Sequence, residues 1–170
     1  RVEEAIPELE RGTKDHPADF QTWYALGSAY LDSERPRDAA RAFDQARAAF
    51  PKLLSGENAY RRLNEAHVAI KDYDAAIRDL EEMLAVDQLD FRNRLKVATL
   101  RAERKEWEAV RKLLEDAAWI ETRDRGLHRL LGETYSELKE PELALRHYKI
   151  VLALIEAGES SDESADRAET

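Results

Sequence analysis

Trp23-Tyr24-Ala25-Leu26-Gly27-Ser28-Ala29-Tyr30, followed by Ala39, Phe43, Ala46 and Pro51, is the stretch that decides the fold. Large side chains at 23, 26 and 30 recur every three or four residues, the period of one helical face, and 39, 43 and 46 resume that period after a break. Gly27 and Ala39 leave room for two backbones to approach, while Trp23, Tyr30 and Phe43 are bulky enough to fill the space around the crossing. Pro36 stands in the first turn of the second segment, where a missing N–H costs nothing. The stretch therefore predicts two amphipathic helices joined by a short turn.

Worked outward, the same register returns along the chain. With Phe20 as position 1, Trp23, Leu26, Gly27, Tyr30, Ala39, Phe43, Ala46 and Pro51 occupy positions 4, 7, 8, 11, 20, 24, 27 and 32. This spacing resembles the tetratricopeptide repeat, a helix-turn-helix unit with a 34-residue period. Residues 57–90 repeat it with Tyr60, Leu63, Asn64, His67, Ala76, Leu80 and Met83, after an insertion at 54–56. Residues 91–124 form a degenerate copy, with Arg94 and Arg101 where the family packs aromatics, and 125–158 recover the pattern with His128, Leu131, Gly132, Tyr135, Ala144 and Tyr148. The expected organisation is the second helix of a truncated unit over 1–19, units over 20–53, 57–90, 91–124 and 125–158, and a disordered acidic tail over 159–170. The resemblance implies an all-α, right-handed superhelical solenoid of antiparallel helix pairs. Asp19, Asp90 and Asp124 precede three first helices, where a carboxylate caps free N–H groups. Opening at Arg1 on an unmated second helix is the pattern expected of an excised or processed piece.

Composition agrees and excludes much else. The chain has 170 residues, only 6 Gly and 5 Pro, no Cys and a formal net charge of -9. Turns are too scarce for an all-β chain. Without Cys there is no disulfide framework, thiolate metal site or cysteine nucleophile. Net acidity argues against nucleic-acid binding, and no apolar run reaches the ~18 residues needed for membrane insertion. His16, His67, His128 and His147 show no metal-ligand spacing, and His67 and His128 fall at packing positions 11 and 4. The carboxylates are interspersed with Lys and Arg along helix surfaces, and no phosphate loop or nucleophile elbow is present. The expectation is a non-enzyme with no cofactor and no metal.

The resemblance implies a protein-interaction scaffold that binds a peptide or helix in a concave groove lined by first-helix positions 2, 5, 6, 9, 12 and 13. Carried onto this sequence, the candidate groove residues are Tyr24, Ser28, Leu31, Asn58, Arg61, Arg62, Glu65, Arg92, Lys96 and Arg129. Five are basic in an acidic chain, which suits an acidic segment or a C-terminal carboxylate, with Asn58 bonding ligand main chain. Against this, Arg61 with Glu65 and Arg129 with Glu133 are spaced to pair with each other along their own helices. The family's chaperone-tail clamp is not matched: Glu65 stands where it places Asn, and Gly126 and Leu130 where it places Lys and Arg. The last helix is apolar nearly all round, and Leu143, Ile150 and Leu154 are candidates for self-association into a homo-oligomer. Two further readings stand beside the scaffold: an accessory array of a larger enzyme, and a homo-oligomerisation module.

Overall fold

The structure is a computed structural model that describes the backbone of residues 2–51 and 58–168 and the side chains of residues 4–51 and 58–158. Every regular element among the described residues is an α-helix. The chain is built of two compact units, Arg1–Gln88 and Leu89–Thr170, each taken by itself below.

The first unit contains α1 (Val2–Asp15), α2 (Phe20–Asp32), α3 (Pro36–Ala49), α4 (Ala59–Ala69) and α5 (Tyr73–Val86), each packed on the next. The second contains α6 (Phe91–Glu103), α7 (Trp107–Ala118), α8 (Arg125–Glu137) and α9 (Pro141–Ala168), packed in the same succession. Helix starts follow the capping chemistry. Asp19, Asp90 and Asp124 accept from the backbone N–H of Thr22, Asn93 and Leu127 at 2.8, 3.0 and 2.7 Å. Asp72 and Asn58 do the same for Ala75 and Arg61, and each such cap contributes about 1 kcal/mol. Pro36 and Pro141 open α3 and α9.

The turns within the pairs share a device that the sequence does not announce. Glu34, Lys71, Lys105 and Lys139, the fifteenth residue of each unit, all take left-handed φ between 56 and 61°. The next N–H then reaches back to the carbonyl five residues earlier, Arg35 to Tyr30, Asp72 to His67, Glu106 to Arg101 and Glu140 to Tyr135, at 2.8 to 3.1 Å. Four otherwise free carbonyls are satisfied, which offsets the cost of a non-glycine residue in that region.

In the first unit Leu26, Tyr30, Ala39, Phe43, Leu63 and Ala66 join Ile6 of α1 in one buried cluster. In the second, Val110, Leu114, Leu127, Leu131, Tyr135 and Ala144 form the equivalent. Tyr30 and Tyr135 are buried except for hydroxyls that donate to Glu10 and Glu115 of the preceding helix at 2.6 and 2.7 Å. Burial and the adjacent carboxylate push both phenols up to about 12. The backbone of α9 runs on as helix through residues 159–168, where composition suggested disorder, because no proline interrupts its hydrogen-bond ladder. The tail's side chains, and all of residues 169 and 170, lie outside the described residues.

At the glycines of position 8 the nearest neighbour is an aromatic ring of the second helix. A Cβ on Gly27 would stand 2.7 Å from the Phe43 ring, and one on Gly132 2.5 Å from the Tyr148 ring. Phe43 is fully buried and cannot retreat, whereas Tyr148 is partly exposed and can swing outward. Gly27→Ala should therefore destabilise by about 1–3 kcal/mol and Gly132→Ala by clearly less, measured by urea denaturation.

Candidate functional site

On the first unit the candidate face is formed by α2 and α4, which are in contact. Tyr24, Ser28 and Leu31 are half-buried on α2. Tyr24 stacks on Phe20 and meets Phe43 edge-on, both at 5.5 Å between centroids, so much of its ring holds α3 in place. On α4, Arg62 pairs with Glu65 at 2.7 Å and lays its guanidinium 5.7 Å above the Phe43 ring. The partner of Glu65 is thus Arg62, not Arg61, because the i, i+3 direction suits a guanidinium already anchored on an aromatic face. Arg61 is exposed and makes no ion pair among the described residues. Asn58 does not join the face. It is fully buried and its Oδ1 caps α4, so the expected contact with ligand main chain is corrected: capping demands that the amide turn inward.

On the second unit the corresponding face belongs to α6 and α8. Arg92 and Lys96 are exposed one helical turn apart, and neither makes an ion pair among the described residues. Arg129 on α8 is exposed and pairs with Glu133 at 2.8 Å, the i, i+4 pair expected from the spacing. Leu95 lies beside Gly126, where a Cβ would stand 3.9 Å from the leucine side chain. The Asp124 carboxylate stands nearer still, 3.1 Å from the same Cβ position.

The histidines are built into helix packing. His67 on α4 bonds the carboxylate of Asp79 on α5 at 2.6 Å, and Arg47 of α3 approaches the same carboxylate at 3.5 Å. Burial pushes Asp79 up while His67 and Arg47 oppose it. Asn64 completes the network by donating to the Ala76 carbonyl at 2.8 Å. This buried acid went unnoticed in the sequence, although the register offered a signal: it stands at position 23, where the other units carry Ala42, Leu113 and His147. In the second unit His128 faces the Thr122 carbonyl through Nε2 at 2.9 Å, so that nitrogen carries the proton. Nδ1 of His128 then accepts from Nδ1–H of His147 at 3.0 Å. His147 also stacks on Tyr135 at 5.4 Å. No group of three or more His, Asp or Glu among the described residues could hold a metal ion, and no described helix is long and apolar enough to cross a membrane.

Of the α9 candidates, Leu143 is exposed at 36%, whereas Ile150 and Leu154 are half-buried. The most exposed apolar residues there are Leu145 at 54% and Leu152 at 59%. Trp119, at the end of α7, is 89% exposed.

A family model described as tetratricopeptide repeat matches residues 1–53 and 24–85, half of the chain. The chain belongs to the tetratricopeptide repeat family. Over 45 residues it is 47% identical to the cytochrome c-type biogenesis protein CycH of Pseudomonas aeruginosa, a match covering 26% of this chain and 11% of that protein. The chain thus spans about a tenth of that relative. Among solved structures, MamA superposes with a TM-score of 0.78 at 20% identity, covering 94% of this chain and 91% of MamA. YrrB, described as a TPR protein with an unusual peptide-binding site, superposes at 0.73 and 16% identity, covering 90% and 77%. At these identities the structures share the all-α helical-repeat fold with this chain.

The histidine pair gives this array a pH dependence of known sign. Burial first, then the charges of His128 and Arg146, lower the His147 pKa below 6.5, with Glu115 opposing. The unfolded chain then binds the proton more readily, so the contribution of this packing is complete above about pH 6.5 and is lost as the pH falls below it. His147→Phe should flatten the fall in melting temperature between about pH 7.5 and 5.5 relative to wild type.

Proposed function

We propose that this array is a non-enzymatic protein-interaction scaffold whose first-helix faces bind a peptide carrying acidic residues or a terminal carboxylate. The observation that carries the reading is the pair Arg92 and Lys96. In a chain of net charge -9, two exposed cations stand one turn apart on α6 and make no ion pair among the described residues. Arg62 and Arg129 on the other first helices are, by contrast, already matched to a neighbouring carboxylate. Cations without internal partners are available to carboxylates of another chain. The peptide-binding site named for YrrB supports the same use of the fold.

A second reading has its own observation. The CycH match covers only 11% of that protein, which is the relation expected of an accessory array within a longer polypeptide. The two are compatible, since the array would bind its peptide either way.

A fluorescent peptide with clustered Glu and a free C-terminus should bind the chain in a salt-sensitive manner, and Arg92→Glu with Lys96→Glu should weaken it by about tenfold or more, read by anisotropy. Unchanged affinity in a variant of normal helicity would sink the proposal.

A further inference from the structure

Side-chain charge runs against the backbone on the first helices of the second unit. An α-helix is partially positive at its start and negative at its end, so acids favour the first turn and bases the last. The second helices obey: α3, α5, α7 and α9 carry Asp38, Asp74, Glu108 and Glu142 in their first turns. Neither α6 nor α8 has an acid there. Instead Arg92 and Lys96 stand in the first two turns of α6 and Glu103 closes it, while Arg125 opens α8 and Glu137 closes it. The capping carboxylates of Asp90 and Asp124 are turned onto the backbone N–H groups of Asn93 and Leu127. Arg101, the one base in the last turn of α6, lies half a turn round from Arg92 and bonds Glu106 at 2.7 Å. Charges placed against the helix they sit on do not serve the fold, and broken local rules of this kind are expected at functional surfaces.

These residues also share one polarised face. Arg92, Lys96, Thr99 and Glu103 follow at i, i+4, i+7 and i+11, a single side of α6, and all four are exposed. α6 packs on α7 and α7 on α8 in antiparallel succession, so α6 and α8 run the same way, and Leu95 lies 3.9 Å from the Cβ position of Gly126 near both starts. The basic ends therefore lie side by side, and Glu103 and Glu137 stand at the other end, about 16 Å further along at 1.5 Å per residue. Between the ends Thr99 is neutral and Arg129 is matched to Glu133. Arg92, Lys96, Glu103 and Glu137 make no ion pair among the described residues. Lys105 and Lys139 come only in the left-handed turns beyond the stripe. A ligand with one kind of charge would satisfy one end and be repelled by the other, so complementarity selects both the occupant and its direction. Resting on the scaffold reading above, we infer that the α6–α8 face takes an extended dipolar peptide, with its acidic end over Arg92 and Lys96 and its basic end over Glu103 and Glu137. About five or six extended residues span that distance.

The test uses the full chain with two end-capped peptides of one composition, Glu and Lys segregated to opposite ends in the first and alternating in the second, and with an all-Glu peptide. The segregated peptide should bind at least about fivefold more tightly than the alternating one. Glu103→Lys with Glu137→Lys should weaken the segregated peptide by about tenfold and leave the all-Glu peptide no weaker. Both substitutions put a base at a helix end, where it favours the helix, so lost binding is not lost folding. A nitroxide on the acidic end of the segregated peptide should broaden the Gly126 amide resonance more strongly than that of Glu137. Equal binding of the segregated and alternating peptides, or stronger broadening at Glu137, overturns the inference while the scaffold reading stands, provided the all-Glu peptide still depends on Arg92 and Lys96. If Arg92→Glu with Lys96→Glu leaves the all-Glu peptide's affinity unchanged, the scaffold reading fails and this inference fails with it.

Discussion

Everything in this fold rests on how closely a first helix and a second helix can approach. Gly27 lets the ring of Phe43 lie directly on the α2 backbone, and Gly132 does the same for Tyr148 against α8. With the ring seated there, position 24 becomes the centre of the pair, and Leu26 and Ala39 or Leu131 and Ala144 close around it. One pair still leaves an apolar side uncovered, so the next first helix must complete the burial. That requirement makes the array an array. On α9, Leu145 and Leu152 are 54 and 59% exposed.

A second layer of polar contacts ties successive helices together. Tyr30 to Glu10 and Tyr135 to Glu115 are the same contact in two units, a position-11 hydroxyl reaching the preceding second helix. His67 takes that position in the second repeat, where its partner is Asp79 on the following helix. A tyrosine can bury its ring and still deliver a hydroxyl to the surface, whereas the shorter imidazole finds its acceptor inside. The substitution thus converts an edge contact into a buried charged network that also engages Arg47. Such networks fix helix register, because an unpaired Asp79 at that depth would be costly.

Much of the fold was legible because its signals are local and repeated. Helix starts at Pro36 and Pro141, caps at Asp19, Asp90 and Asp124, and the large-small alternation at positions 4, 8 and 24 are one-dimensional patterns. The site was less legible. Asn58 was a groove candidate by position, yet the cap it makes depends on the backbone conformation where α4 begins. The choice of Arg62 over Arg61 as the partner of Glu65 depends on Phe43, which comes from another helix. On α9 a helical wheel cannot tell Ile150 and Leu154 from Leu145 and Leu152; only packing on α8 decides that the first two are half-buried and the last two exposed.

The sequence by itself determined the helical pairs, their period, the family and the excess of bases on first-helix faces, since each is a matter of residue type at fixed spacing along one chain. The tertiary structure decided which of those bases remain without an internal partner, that Asp79 is buried with His67 and Arg47, that four non-glycine turn residues are left-handed, and that Leu145 and Leu152 carry the open face of α9. Pairing, burial and exposure are relations between helices far apart in sequence, and they exist only once packing has chosen which side of each helix its neighbours cover.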